Sequence, residues 1–185
     1  MRAALYSFLI ATSILLGQTQ PAWRQMRLEG SAFAIRYPTS ATAAWLEEVK
    51  RAIQPSAAFE QKRILFWEQG SAATIEGRIR SLDNRIRTNR IAVYRLGPVA
   101  LIPSGELIVV FREKVRRAEA LAIFKRNQLL VVELPGEYSK RQYLARLVSD
   151  DGVQSVKLAA RIGKLPQVEI AEPNLLSISP PDPLR

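Results

Sequence analysis

Apolar and polar positions divide the chain into a first half with short, scattered signals and a second half with a regular succession of elements. In the first half, Ala34-Ile35-Arg36-Tyr37 predicts a short strand. Thr42 is placed to cap a helix whose Trp45, Leu46, Val49, Ala52 and Ile53 share one face, and Pro55 ends it. Ile64-Leu65-Phe66-Trp67 is a compact apolar run. Residues 74–80 alternate polar with apolar or small side chains, which predicts a half-buried strand. Asp83-Asn84 and Gly97-Pro98 read as turns on either side of Ile91-Ala92-Val93-Tyr94.

After the turn at Pro103-Ser104-Gly105, residues 106–112 carry the β-branched enrichment of a strand. Residues 116–127 switch to helical spacing, with Val115, Ala120, Leu121 and Phe124 as the apolar stripe and Asn127 as terminator. Residues 129–134 form a second strand, 135–138 a loop, and 142–148 a third strand of alternating character. Asp150-Asp151-Gly152 precedes a second helix over 153–164, where carboxylates suit the positive end of the helix dipole. Gly163-Lys164-Leu165-Pro166 stops that helix, and residues 168–171 form the fourth strand. The order βαββαβ is the split ferredoxin-like arrangement. The chain is therefore expected to be α+β, with a ferredoxin-like domain at about 104–176. A small mixed α/β accessory region (23–100) precedes it, and a linker stub (177–185) follows.

The N-terminus adds a compartment. Arg2 precedes an apolar stretch over residues 3–17 and then polar Gln18-Thr19-Gln20-Pro21, the layout of a secretory signal. The run is shorter than the roughly 20 residues that span a bilayer. A signal peptide over residues 1–22 is expected, and with it a secreted or periplasmic location; a clean small-x-small cleavage site is missing.

Composition then narrows the chemistry. The 185 residues include neither histidine nor cysteine. This removes Ser-His-Asp and Cys-His catalysis, imidazole bases and zinc sites built from those residues. No catalytic residue, metal or cofactor is expected. The net charge of +10 owes much to Arg78, Arg80, Arg85, Arg87, Arg90 and Arg95. A basic patch for nucleic acid is one reading. A solvated strand face is the better one, because the interleaved Ile79, Ile86 and Ile91 are aliphatic and offer no platform for bases.

The opening Gly105-Glu106-Leu107-Ile108-Val109-Val110-Phe111 and the closing Leu165-Pro166-Gln167-Val168-Glu169-Ile170-Ala171-Glu172-Pro173-Asn174 carry a resemblance. Together with the elements between them, they resemble the N-terminal propeptide of secreted subtilisin-like serine proteases, the fervidolysin-type prodomain in particular. Pro181-Asp182-Pro183-Leu184 is similar to the linker that leads into the catalytic domain of that family. Glu113-Lys114 departs from it, standing where many members have a turn rich in Pro and Gly.

The resemblance implies a protein that folds and inhibits a protease without being one. In the family, the prodomain sheet packs on two exposed helices of the catalytic domain, and two acidic or amide residues cap those helices; the matching positions are Glu172 and Asn174. Orphan N–H groups at a helix start accept such caps, each worth roughly 1 kcal/mol. The tail that follows lies in the substrate cleft as an added strand, which by position is Leu175, Leu176, Ser177, Ile178 and Ser179. The partner implied is a subtilisin-like catalytic domain, with no small-molecule substrate. The alternatives are a truncated protease remnant without a function of its own and a basic nucleic-acid-binding ferredoxin-like module.

Overall fold

A computed structural model of the chain describes residues 21–134, 140–147 and 152–179. Residues 1–20 of the expected signal segment, the loop at 135–138, Asp150-Asp151 and the linker residues 181–184 lie outside the described residues. Within them, four α-helices and two antiparallel sheets make a mixed α+β protein.

One sheet belongs wholly to the first half. It consists of β2 (Phe33–Arg36), β3 (Ala57–Phe59), β4 (Ile64–Trp67) and β5 (Asn89–Ile91), in the order β3-β4-β2-β5. β2 and β4 are almost entirely buried because both faces of this sheet are covered. On one face lie α1 (Ala43–Ile53) and α2 (Ala72–Leu82), which bring Trp45, Leu46, Val49, Ile53, Ile75 and Ile79 against Phe33, Ile35, Leu65 and Trp67. Phe33 and Trp67 stack at 5.2 Å between ring centroids, an arrangement that adds to their area burial.

The α1 helix starts at Thr42, whose Oγ1 accepts the Trp45 N–H at 3.1 Å. Its apolar residues recur at helical spacing, as the sequence predicts. The strand expected over 74–80 is instead part of α2, a correction with a clear cause. Ile75 and Ile79 are the buried residues of α2; four positions apart, they satisfy both a two-residue and a near 3.6-residue period. Ser71 decides the matter by capping the Thr74 N–H with its hydroxyl.

The second sheet is built on one long strand, β7 (Val99–Phe111). β6 (Tyr94–Leu96) pairs with its beginning through the turn at Gly97, and β1 (Arg27–Leu28) pairs with β6. The later part of β7 pairs with β9 (Gln142–Leu147), which carries β8 (Leu129–Glu133) on its far side. Along its other edge β7 pairs with β10 (Val168–Ile178) from Phe111 back to Ala100. β7 begins seven residues before the strand expected at 106, and β10 runs seven residues past its expected end at Ala171.

α3 (Arg117–Arg126) and α4 (Val153–Ile162) cover one face of this sheet. Ala120, Ile123, Phe124, Leu158, Ala159 and Ile162 meet Leu107, Val109, Phe111, Tyr143, Ala145, Val168 and Ala171 there. Phe111 meets Phe124 and Tyr143 edge-on, those two are tilted against each other, and the three centroids lie 5.3–5.5 Å apart.

Both halves contribute to a third core. Ala34, Ile64, Phe66 and Ile91 of the first sheet pack with Val93, Ala100 and Ile102, and Leu176 and Ile178 of β10 join them. Arg95 stitches the same seam by pairing with Glu29 and Glu68. β7 thus passes unbroken through the expected boundary between residues 100 and 104.

The six arginines that dominate the first-half charge do not line one strand face: only Arg90, in β5, and Arg95, in β6, lie in strands. Arg78 and Arg80 ride on α2, and Arg78 donates to the Ala52 carbonyl. Arg85, Arg90 and Arg95 are matched by Asp83, Glu76 and the Glu29/Glu68 pair.

Candidate functional site

Cross-strand register fixes what each face of the second sheet displays. Residues 107, 109 and 111 of β7 face α3 and α4, so the even-numbered residues face the other way. At the beginning of β7 that other face is covered: Ala100 and Ile102, with Leu176 and Ile178 opposite them, lie under the first sheet. Beyond Glu106 no described element packs on it. Ile108 and Val110 of β7, Leu144 of β9 and Ile170 of β10 stand half-exposed there, and Leu130 of β8 is 49% exposed. Gln142 and Arg146 complete the β9 side. No aromatic side chain is among these residues.

Glu172 sits on this open apolar face, opposite Ile108. Burial among its neighbours pushes its carboxyl above the ordinary carboxylate value, and no described side chain forms a hydrogen bond or ion pair with it. A carboxylate desolvated by aliphatic neighbours and left without a partner costs free energy in the isolated chain. That is an arrangement a packed structure retains where something else supplies the partner.

Two residues further on, Asn174 lies at a β-bulge. The register passes from Pro173 opposite Leu107 to Leu175 opposite Pro103, so Ser104-Gly105-Glu106 bulge opposite the single residue Asn174. Gly105 has φ +82°, a left-handed conformation that glycine adopts without strain. The bulge turns the Glu106 carboxylate toward three donors. Asn174 Nδ2 donates to Oε2 at 2.7 Å, Lys62 Nζ approaches both oxygens at 2.8 Å, and Ser104 Oγ donates at 3.3 Å. Arg36 Nη2 donates to the Ser104 carbonyl at 2.6 Å from the first sheet. Lys62 also comes from the first half, at the end of the short 3-10 turn Glu60–Lys62. The structure therefore brings Glu172 and Asn174 to neighbouring positions on one strand, and adds Glu106 and Lys62 to them.

Sequence reasoning singled out neither of these two. Their signal is the pairing of a lone carboxylate in an apolar strand with a lysine forty-four residues earlier, a contact that no local spacing reveals.

The expected tail continues the second sheet of the chain. Leu175, Leu176, Ser177 and Ile178 are the last residues of β10 and pair with residues 100–103 of β7. Leu175 packs toward α3 and α4, and Leu176 and Ile178 pack under the first sheet. Ser179 follows the strand and is exposed. The outer backbone edge of β10 has no partner strand among the described residues.

Among the described residues, no group of three or more His, Cys, Asp or Glu side chains converges as a metal site would require. No helix among them is long and apolar enough to cross a membrane. No family model matches the chain, and neither a curated protein nor a solved structure matches it.

Proposed function

We propose that this chain is a non-catalytic, propeptide-like module that acts as folding chaperone and inhibitor of a secreted subtilisin-like serine protease. In this reading residues 104–176 are a ferredoxin-like prodomain. The strand order supports it: β10, β7, β9 and β8 stand side by side as fourth, first, third and second strands, with α3 and α4 as crossovers on one face. The other face is left open for a partner.

The observation that carries the reading is Glu172: a half-buried carboxylate without a partner among the described residues, on a surface that no described element covers. Helix N-termini of a catalytic domain would supply the N–H groups that Glu172 and Asn174 lack, and the helix flanks would cover Ile108, Val110, Leu144 and Ile170. Among the described residues this face carries no aromatic side chain, which argues against base stacking and so against nucleic acid as the ligand. The packed tail shifts emphasis to the face. A contribution from residues 175–179 would come through the unpaired outer edge of β10, by strand addition, with no need to unpack the tail.

The test is a titration of the protein against a subtilisin-like protease, reading hydrolysis of a small chromogenic substrate. Inhibition at micromolar levels or better is expected, about −8 kcal/mol of binding. Full protease activity at a hundredfold excess, with no complex on size-exclusion chromatography, refutes the reading.

A further inference from the structure

We propose that Lys62, contributed by the first half of the chain, is a positioning residue for the docking site, holding Asn174 in its binding orientation through Glu106. The inference rests on the docking reading above and gives residues 23–100 a role within it. The first sheet covers the β7/β10 face only as far as the bulge, and Lys62 stands at the edge of that cover. Its ammonium bridges both oxygens of Glu106 at 2.8 Å, and the Glu106 side chain is only 12% exposed. A carboxylate so far removed from water is held in place by the donors that reach it.

Glu106 Oε2 also accepts from Asn174 Nδ2 at 2.7 Å. An asparagine amide whose NH2 is committed to a carboxylate must direct its carbonyl oxygen the other way. That leaves Oδ1 as the acceptor offered to an incoming N–H. Without Lys62, Glu106 loses its neutralising cation, the amide loses its anchor, and the two flipped states of Asn174 become comparable in energy.

The experiment compares Lys62→Met, Lys62→Arg, Asn174→Ala and the double variant Lys62→Met/Asn174→Ala in protease inhibition, with thermal unfolding of each. Lys62→Met is expected to weaken inhibition about fivefold, the scale of a lost cap. Lys62→Arg restores it. The double variant inhibits no worse than Asn174→Ala, because Lys62 acts through Asn174. Unchanged inhibition by Lys62→Met, or additive losses in the double variant, overturns the proposal.

The side-chain amide resonances of Asn174 give a second measurement that needs no partner. In the unmodified chain they are expected to be dispersed and protected from exchange, and in Lys62→Met to move to free-amide values while the backbone amides of β10 stay put. Identical Asn174 amide signals in the two proteins overturn the positioning role. If the unmodified chain does not bind the protease, the docking reading falls, and these resonances still decide whether Lys62 fixes Asn174.

Discussion

Gly152 shows how much of the assembly rests on a missing side chain. It precedes the first residue of α4 with φ +85°, and a Cβ there would lie 2.8 Å from Ile91 Cγ2 and 3.2 Å from the Ala92 backbone nitrogen. Ile91 is 1% exposed and Ala92 lies where the chain passes from one sheet to the other, so neither neighbour has room to retreat. Left-handed strain and overpacking act together in Gly152→Ala, and a loss of about 2–4 kcal/mol is expected from denaturant titration. A midpoint within error of the parent would show that the start of α4 is not pinned to the seam. The sequence marks this glycine only as the end of an Asp-Asp-Gly turn. Its contact with Ile91 joins residues sixty-one positions apart and leaves no local trace.

The elements that sequence patterning identifies are those whose period and terminators agree. In α1 the cap at Thr42 and the stripe of Trp45, Leu46, Val49 and Ile53 point to one answer, and the structure has it. Thr42→Ala should therefore cost about 1 kcal/mol, seen as a lower unfolding midpoint with an unchanged denaturant slope; no shift would mean the helix start is fixed by packing alone. In α2, Ile75 and Ile79 fit either period and Gly77 weakens the helical signal, so the cap at Ser71 is the deciding residue. β10 is hidden by composition: Glu172-Pro173-Asn174 reads as a strand end. An edge strand tolerates proline because one side of its backbone has no ladder to break, and among the described residues β10 has only β7 beside it. Of the candidate site, Glu172 and Asn174 are legible because they close a patterned strand, whereas Glu106 and Lys62 depend on how two sheets meet.

At the scale of the whole molecule, three cores bury both faces of the first sheet and the α3/α4 face of the second, and among the described residues the open face of the second sheet brings apolar side chains together with a carboxylate that has no partner there. If that surface serves a partner, its chemistry should work against the free chain, and Glu172 makes the conflict measurable. Its carboxyl titrates at the ordinary value in the unfolded chain and, because burial disfavours the charge, at a higher value in the fold. Ionised Glu172 thus costs stability in full above the folded value. The cost fades as pH falls through that value, and it is gone below the unfolded one. Glu172→Gln should accordingly unfold at a higher temperature than the parent at neutral pH, with the gap closing on acidification toward pH 4. The same variant loses a charged cap for a helix N-terminus, so its inhibition of a subtilisin-like protease should weaken about threefold to tenfold. A residue kept only for the fold would move stability and binding in the same direction. A gain in one with a loss in the other is the signature of a site held for a partner. Glu172→Gln that is less stable at neutral pH, or that inhibits as well as the parent, would remove the charge of Glu172 from the docking account.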